Sequence, residues 1–158
     1  MSRLPALGSR GEGWVAIQVV LLLVEATVGT TRPAWSGSIR LATTLAGVAL
    51  MAAGAWLFIR GVVDLRSALT PLPHPRDNAQ LVEDGAYRLV RHPIYGGIVI
   101  GSAGYGLVAA SPAALVGALV LLGFFRLKSA REEAWLESRY PGYDAYRART
   151  RRMLPWVY

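Results

Sequence analysis

Two short polar strings hold most of the residues that could do chemistry in this chain. The first is Gly85-Ala86-Tyr87-Arg88-Leu89-Val90-Arg91-His92-Pro93-Ile94-Tyr95-Gly96-Gly97. The second begins at Arg131-Glu132-Glu133-Ala134-Trp135-Leu136 and continues through Tyr140-Pro141-Gly142-Tyr143-Asp144-Ala145-Tyr146 to Arg151, Arg152 and Pro155. Pro93 suits the first position of a helix, where its missing N–H is no loss, so free backbone N–H groups and the positive dipole end face the residues before it. Arg91 and His92 add donors at the same place, which suits an anion such as a carboxylate. Glu132 and Glu133 offer the converse, oxygens that accept from an ammonium group or from ribose hydroxyls. An amino acid joined to a nucleoside presents both kinds of group.

Each feature also has a plainer reading. Arg91 could be an interfacial anchor whose stem lies against apolar groups while its head reaches lipid headgroups, and Glu132 and Glu133 could form a solvated helix face with Arg131 and Lys128. His92 could be a structural histidine. The Gly97-x-x-x-Gly101 pair, with Gly104 and Gly106, fits close helix packing. No strand pattern precedes Gly104-Tyr105-Gly106, which speaks against a phosphate-cradling loop.

The elements that must position these strings are apolar helices. Pro93 to Phe125 is an uncharged run too long for one membrane crossing and is broken near its middle by Ser111-Pro112, which predicts a hairpin of two helices. The second helix of the pair is expected to continue past Leu127 through Arg131, Glu132 and Leu136, since nothing helix-breaking intervenes before Pro141. An antiparallel hairpin sets the start of one helix beside the end of the other, and the two polar strings then converge. Upstream, Trp14 to Thr31 and Leu41 to Ile59 are two further apolar runs, joined by the turn-rich Gly29 to Ser38. Glu25 interrupts the first run and is expected to turn inward or toward the interface. Leu69 to Gln80 holds Pro71, Pro73 and Pro75 and is expected to lie at the interface rather than in hydrocarbon. The expected fold is all-α: a polytopic membrane protein of about four transmembrane helices, the last two a hairpin, with a cytoplasmic C-terminal helical segment. It forms one domain over residues 1–158, with the first two spans in 1–63 and the cofactor-binding core in 64–158.

Composition agrees with this architecture. Apolar residues make up 53% of the chain and the mean hydropathy is +0.34, above what a soluble fold of this size carries. The net charge of +7 comes from arginines at Arg3 and Arg10, in the middle segment at Arg60, Arg66, Arg76, Arg88 and Arg91, and from Arg126 to Arg152. Only Arg32 and Arg40 fall on the other side, so the N- and C-termini are expected in the cytoplasm and the chain multi-pass in the inner (plasma) membrane. The charge is then a topology signal with contact to anionic headgroups, and no nucleic-acid partner is expected. The absence of cysteine excludes thiol catalysis, disulfides and cysteine-type zinc sites. No cleavage site of small residues follows Val24, so the first run is expected to be retained as a span. Lys128 is the sole lysine, an arginine bias of the kind found in GC-rich bacterial genomes.

The order G-x-Y-R-x-x-R-H-P-x-Y-x-G, then a helical hairpin, then E-E-x-x-L and spaced tyrosines before Pro155, resembles the core of the isoprenylcysteine carboxyl methyltransferase and phospholipid methyltransferase family. The resemblance runs from about Leu69 to Pro155. It implies that Tyr87, Val90, Arg91, His92, Tyr95, Glu132, Glu133 and Tyr146 surround S-adenosylmethionine, with the reactive methyl facing the membrane side. It also implies methyl transfer to a lipophilic acceptor, a membrane lipid or small hydrophobic molecule, with His92, Glu133 and Arg139 as catalytic candidates. A carboxylate acceptor would be oriented by Arg139 or Arg147, and an amine would give its proton to Glu133 or His92 directly or through water. The sequence departs from the family at Tyr140-Pro141-Gly142, where an aromatic residue is usually followed directly by glycine, and this bears on Tyr143, Tyr146 and Arg147. The alternative is a non-enzymatic lipid-binding or assembly subunit that keeps the fold, against which the intact His92-Pro93 and Glu132-Glu133 strings speak. A transporter would show paired repeats, and none are found. A prenylated cysteine substrate is not expected of a bacterial chain. The oligomeric state is left open.

Overall fold

The computed structural model describes residues 5, 7–30, 33–65 and 80–155. The described residues form α1 (Glu12–Val28), α2 (Gly37–Leu65), a 3₁₀ turn (Gly85–Arg88), α3 (Pro93–Ala109), α4 (Pro112–Arg139) and α5 (Tyr143–Arg149), with no strand among them. The proline-rich segment expected at the interface lies outside the described residues apart from Gln80, as do Arg3, Arg32, Arg66 and Arg76. Two helices, α2 and α4, are long and apolar enough to cross a membrane, and α3 is a shorter apolar helix. α1 has 17 residues.

The hairpin forms where the sequence breaks. α3 ends at Ala110, which adopts a left-handed conformation (φ 51°) and donates its N–H to Gly106 O and Leu107 O. α4 then starts with Ser111 as its cap, Oγ accepting from Ala114 N at 3.2 Å, and Pro112 in the first turn. The helix continues unbroken to Arg139, so its apolar half and the Glu132–Glu133 pair belong to one rigid rod.

α2 packs on α3, α3 on α4, and α4 on α1. The α2–α3 contact is set by glycines seven residues apart. A Cβ placed on Gly54 would lie 2.6 Å from both Gly97 O and Gly101 N, and one on Gly47 would lie 2.6 Å from Gly104 O. The two backbones therefore touch, the close approach that small residues allow in apolar helix pairs. On the other side, Trp14 of α1 packs against Phe124 of α4 with ring centroids 5.8 Å apart, in a core that includes Val99, Leu121, Phe125 and Met153. The outward faces are apolar: Val20 and Leu23 on α1, Leu41, Leu45, Trp56 and Ile59 on α2, and Val116 and Leu119 on α4 are exposed. Glu25 turns inward, 5% exposed, against Gly117, and neither carboxylate oxygen has a hydrogen-bond partner among the described residues.

Candidate functional site

The site lies where α3 begins and α4 ends, and the chain reaches it four times. The end of α2 supplies Asp64, whose Oδ2 accepts from Ala86 N at 2.8 Å and fixes the 3₁₀ turn. Gly85 enters that turn with φ +57°, and a Cβ there would collide with the Asp64 carboxylate. Beyond the turn the chain runs alongside the C-terminal segment in a short parallel bridge between Val90 and Arg151. There Arg91 N–H donates to Arg151 O at 2.8 Å and His92 N–H donates to Arg152 O at 2.9 Å.

Side chains lock the same junction. Arg91 Nε donates to Glu133 Oε1 at 2.8 Å, while its Nη1 donates to Thr150 O at 2.6 Å and to Arg147 O at 3.2 Å. Glu133, 2% exposed, also accepts from Arg152 Nη2 at 2.9 Å and lies 3.1 Å from His92 Nε2. The other imidazole nitrogen, Nδ1, is 3.5 Å from Glu132. Tyr95 O–H donates to Glu132 Oε2 at 3.1 Å, and its ring stacks between His92 (5.4 Å) and Phe125 (4.7 Å). Tyr146 O–H donates to Tyr87 O at 2.8 Å, and Tyr87 O–H to Gly61 O at 3.3 Å. Burial pushes the phenols of Tyr87, Tyr143 and Tyr146 above the ordinary range, so they stay neutral donors. Tyr143 is 1% exposed, and its hydroxyl has no partner among the described residues.

These groups border a cavity of about 370 Å³. Tyr87, Arg91, His92, Tyr95, Glu132, Tyr143 and Tyr146 line it on the polar side, and Phe58, Val62, Ile94, Ile98 and Leu136 supply apolar wall. Gln18 and Lys128 also face it. Six of the residues expected around a cofactor therefore meet in one space: Tyr87, Arg91, His92, Tyr95, Glu132 and Tyr146. Val90 and Glu133 do not line it. Val90 is fully buried and pairs with Arg151, and Glu133 sits behind the wall and holds Arg91, His92 and Arg152. Arg139 is exposed at the end of α4 with its guanidinium over the Tyr140 ring, and Arg147 is exposed and paired with Glu137. Neither arginine expected to orient an acceptor lines the cavity.

Tyr143, Lys128 and Gln18 are among the lining residues that the sequence does not assign to the cofactor set. Tyr143 belongs to the spaced-tyrosine string, and that pattern was its signal. Lys128 lies four residues before Glu132, hence on the same helix face, which could have marked it. Gln18 had no signal, because its place depends on α1 lying against α4.

The geometry can be set beside known proteins. The family model described as phospholipid methyltransferase matches residues 42–142. Proteins named "Probable protein-S-isoprenylcysteine O-methyltransferase" in Oryza sativa subsp. indica and subsp. japonica are each 33% identical over 86 residues, which cover 53% of this chain and 45% of the relative. The matched stretch thus spans about half the length of these curated relatives. The family match runs from α2 through the hairpin to the threshold of α5, the stretch that builds most of the cavity wall, and the chain belongs to the phospholipid methyltransferase family.

Proposed function

We propose that this protein is an integral membrane methyltransferase that uses S-adenosylmethionine to methylate a lipophilic acceptor. The observation that carries the reading is a cavity in which polar groups from the 3₁₀ turn, the residues leading into α3, and α3, α4 and α5 meet apolar walls from α2 and α3. Its volume falls within the range of small-molecule sites. Its donor set fits an amino acid joined to a nucleoside, and the Tyr143 hydroxyl, without a partner among the described residues, is a buried group that such a ligand would satisfy. Glu132 would accept from the ammonium or ribose hydroxyls, Tyr143 would donate, and the rings of Tyr87, Tyr95 and Tyr146 would form the walls. Arg91, on the lining, and Glu133, behind it, hold the frame.

When bound, S-adenosylmethionine supplies a methyl group on a sulfonium, the C–S bond breaking as a new bond to the acceptor forms. The residues of the chain then align the acceptor and exclude water. A carboxylate needs only orientation. An amine must first lose a proton, and of the two groups considered for that task His92 lines the cavity whereas Glu133 lies behind it. The relatives are named O-methyltransferases, which favours an oxygen acceptor.

The membrane arrangement proposed is a single domain of four spans with both termini in the cytoplasm, in the inner membrane of a bacterium. The length of α2 and α4, the α3–α4 hairpin and the exposed apolar faces support it. The reading is tested by calorimetric binding of S-adenosylhomocysteine to detergent-purified protein, with transfer of labelled methyl into a total lipid extract. Wild type is expected to bind, and Glu132→Ala to bind about 10-fold or more weakly, since hydrogen bonds to charged groups contribute about 1.5–3 kcal/mol. Absence of binding by the wild type would overturn the reading, and binding without transfer into any lipid fraction would favour a lipid-binding subunit.

A further inference from the structure

α5 puts a layer one helix thick over part of the cavity. Tyr143 and Tyr146, 1% and 2% exposed, line the cavity, while Asp144, Ala145, Arg147, Ala148 and Arg149 on the same helix are exposed. Solvent therefore lies directly behind these two rings. The segment runs between two fixed ends. Before it, α4 stops at Arg139 and the chain turns through Pro141 and Gly142, both exposed, with nothing within 4 Å of a Cβ placed on Gly142. After it, Thr150 O accepts from Arg91 Nη1 at 2.6 Å, and the Arg151 and Arg152 carbonyls accept from the Arg91 and His92 amides.

Between these ends, two ion pairs near the surface hold α5 from outside, Arg147 to Glu137 on α4 and Arg149 to Glu83. Glu83 directly follows Gln80, Leu81 and Val82, which line the cavity, so the second pair ties together two parts of the lining 66 residues apart in sequence. From inside, Tyr146 O–H donates to Tyr87 O at 2.8 Å and Arg91 Nη1 to Arg147 O at 3.2 Å. Exposed ion pairs are weak and screened by salt, which suits a contact that must break and remake. The outward faces of α2 and α4 are apolar, and a charged ligand passing between them would have to leave water first. The α5 side spares it that cost.

We propose that α5 is a lid that moves about Pro141-Gly142, that the Arg149–Glu83 pair is its latch, and that polar ligands reach the cavity when it opens. That the ligand is S-adenosylmethionine rests on the methyltransferase reading; the motion of the lid does not. Opening breaks the two ion pairs, the Tyr146–Tyr87 hydrogen bond and the contact to Arg147 O, and leaves the Arg91–Glu133 and Arg91–Thr150 contacts in place.

The test uses the full chain in nanodiscs, and its first arm needs no ligand. Amides of residues 143–149 should exchange hydrogen faster than those of Leu121 to Ser129 in α4. Arg149→Gln should speed exchange in α5 by about 2- to 5-fold at low salt and leave α4 unchanged, the size of one exposed ion pair. Glu83→Gln, which keeps Arg149 over the Tyr146 ring, should do the same. Because the chain has no cysteine, Glu83→Cys combined with Arg149→Cys can be bridged by a reducible bis-methanethiosulfonate linker. The bridge should slow release of tritiated S-adenosylhomocysteine at least about 10-fold, as expected where lid opening limits release, and reduction should reverse this. Each single-cysteine variant given the same reagent should release the ligand no more slowly than wild type. Exchange in α5 no faster than in α4, or bridged protein that releases the ligand as fast as unbridged, overturns the proposal. Wild type that binds no S-adenosylhomocysteine removes the methyltransferase reading, and the exchange arm then decides the lid alone.

Discussion

At the scale of single residues, the site separates groups that build it from groups that face it. Arg91 does both: it lines the cavity, and its guanidinium joins Glu133 on α4 to the Arg147 and Thr150 carbonyls. Arg91→Ala leaves the buried Glu133 without a main counter-charge, and an expected loss of about 3–5 kcal/mol would show as a lower unfolding midpoint in detergent. Tyr143 belongs to the second kind. Tyr143→Phe removes a hydroxyl that has no partner among the described residues, so the fold should be unchanged while S-adenosylhomocysteine affinity drops about 3- to 10-fold. The raised phenols of Tyr87, Tyr143 and Tyr146 give a pH dependence with a defined sign. The folded state keeps these protons above pH ~10, where the unfolded chain releases them, so their contribution is complete below pH ~10 and is lost as pH rises further. Thermal unfolding followed from pH 9 to 11 should show the midpoint falling, and a flat profile would remove this contribution. The types of these residues were legible in the sequence, their division of labour was not. Two of Arg91's partners, the Arg147 and Thr150 carbonyls, are backbone groups, which leave no mark in the sequence.

At the scale of elements, the hairpin was fully legible because Ser111-Pro112 both caps and begins a helix, and α3 and α4 divide there. The glycines were legible as a class but not by position. Gly97-x-x-x-Gly101 suggests two equivalent contact points, whereas a Cβ on Gly97 would press on Gly54 O and Phe58 N and one on Gly101 would meet nothing within 4 Å. Which side of a helix faces its neighbour depends on rotation, which a helix apolar all round does not encode. Gly54→Val should push α2 from α3 at a cost of about 1–3 kcal/mol or more, and Gly101→Ala should be neutral. Thermal stability of the pair of variants decides this. Equal loss in both would mean that α2 and α3 meet along another face.

At the scale of the whole molecule, apolar run lengths indicate an all-helical protein, and the family match from 42 to 142 covers the motif-bearing stretch up to Gly142 but not the part from Tyr143 to Pro155. The placement of α1 beside α4 was not legible, because nothing in an apolar run names its neighbour. That contact holds the Glu25 carboxyl, without a partner among the described residues, against Gly117. Replacing a buried, unpaired carboxyl by an apolar group of similar size is stabilising, so Glu25→Leu should raise the unfolding midpoint by an amount equivalent to about 1–3 kcal/mol. A fall instead would reveal a role for the carboxyl that its surroundings do not show.

The same contact sets an order of assembly. α1 ends at residue 28 and its partner α4 begins at residue 112, so on the ribosome the first helix is finished long before the surface it packs on exists. The α2–α3 and α3–α4 pairs can dock while the chain is still growing, but Gln18 reaches Lys128 across 110 residues of sequence. Among the described elements, the cavity therefore closes only once α1 has met α4 and α5, which are made long after it.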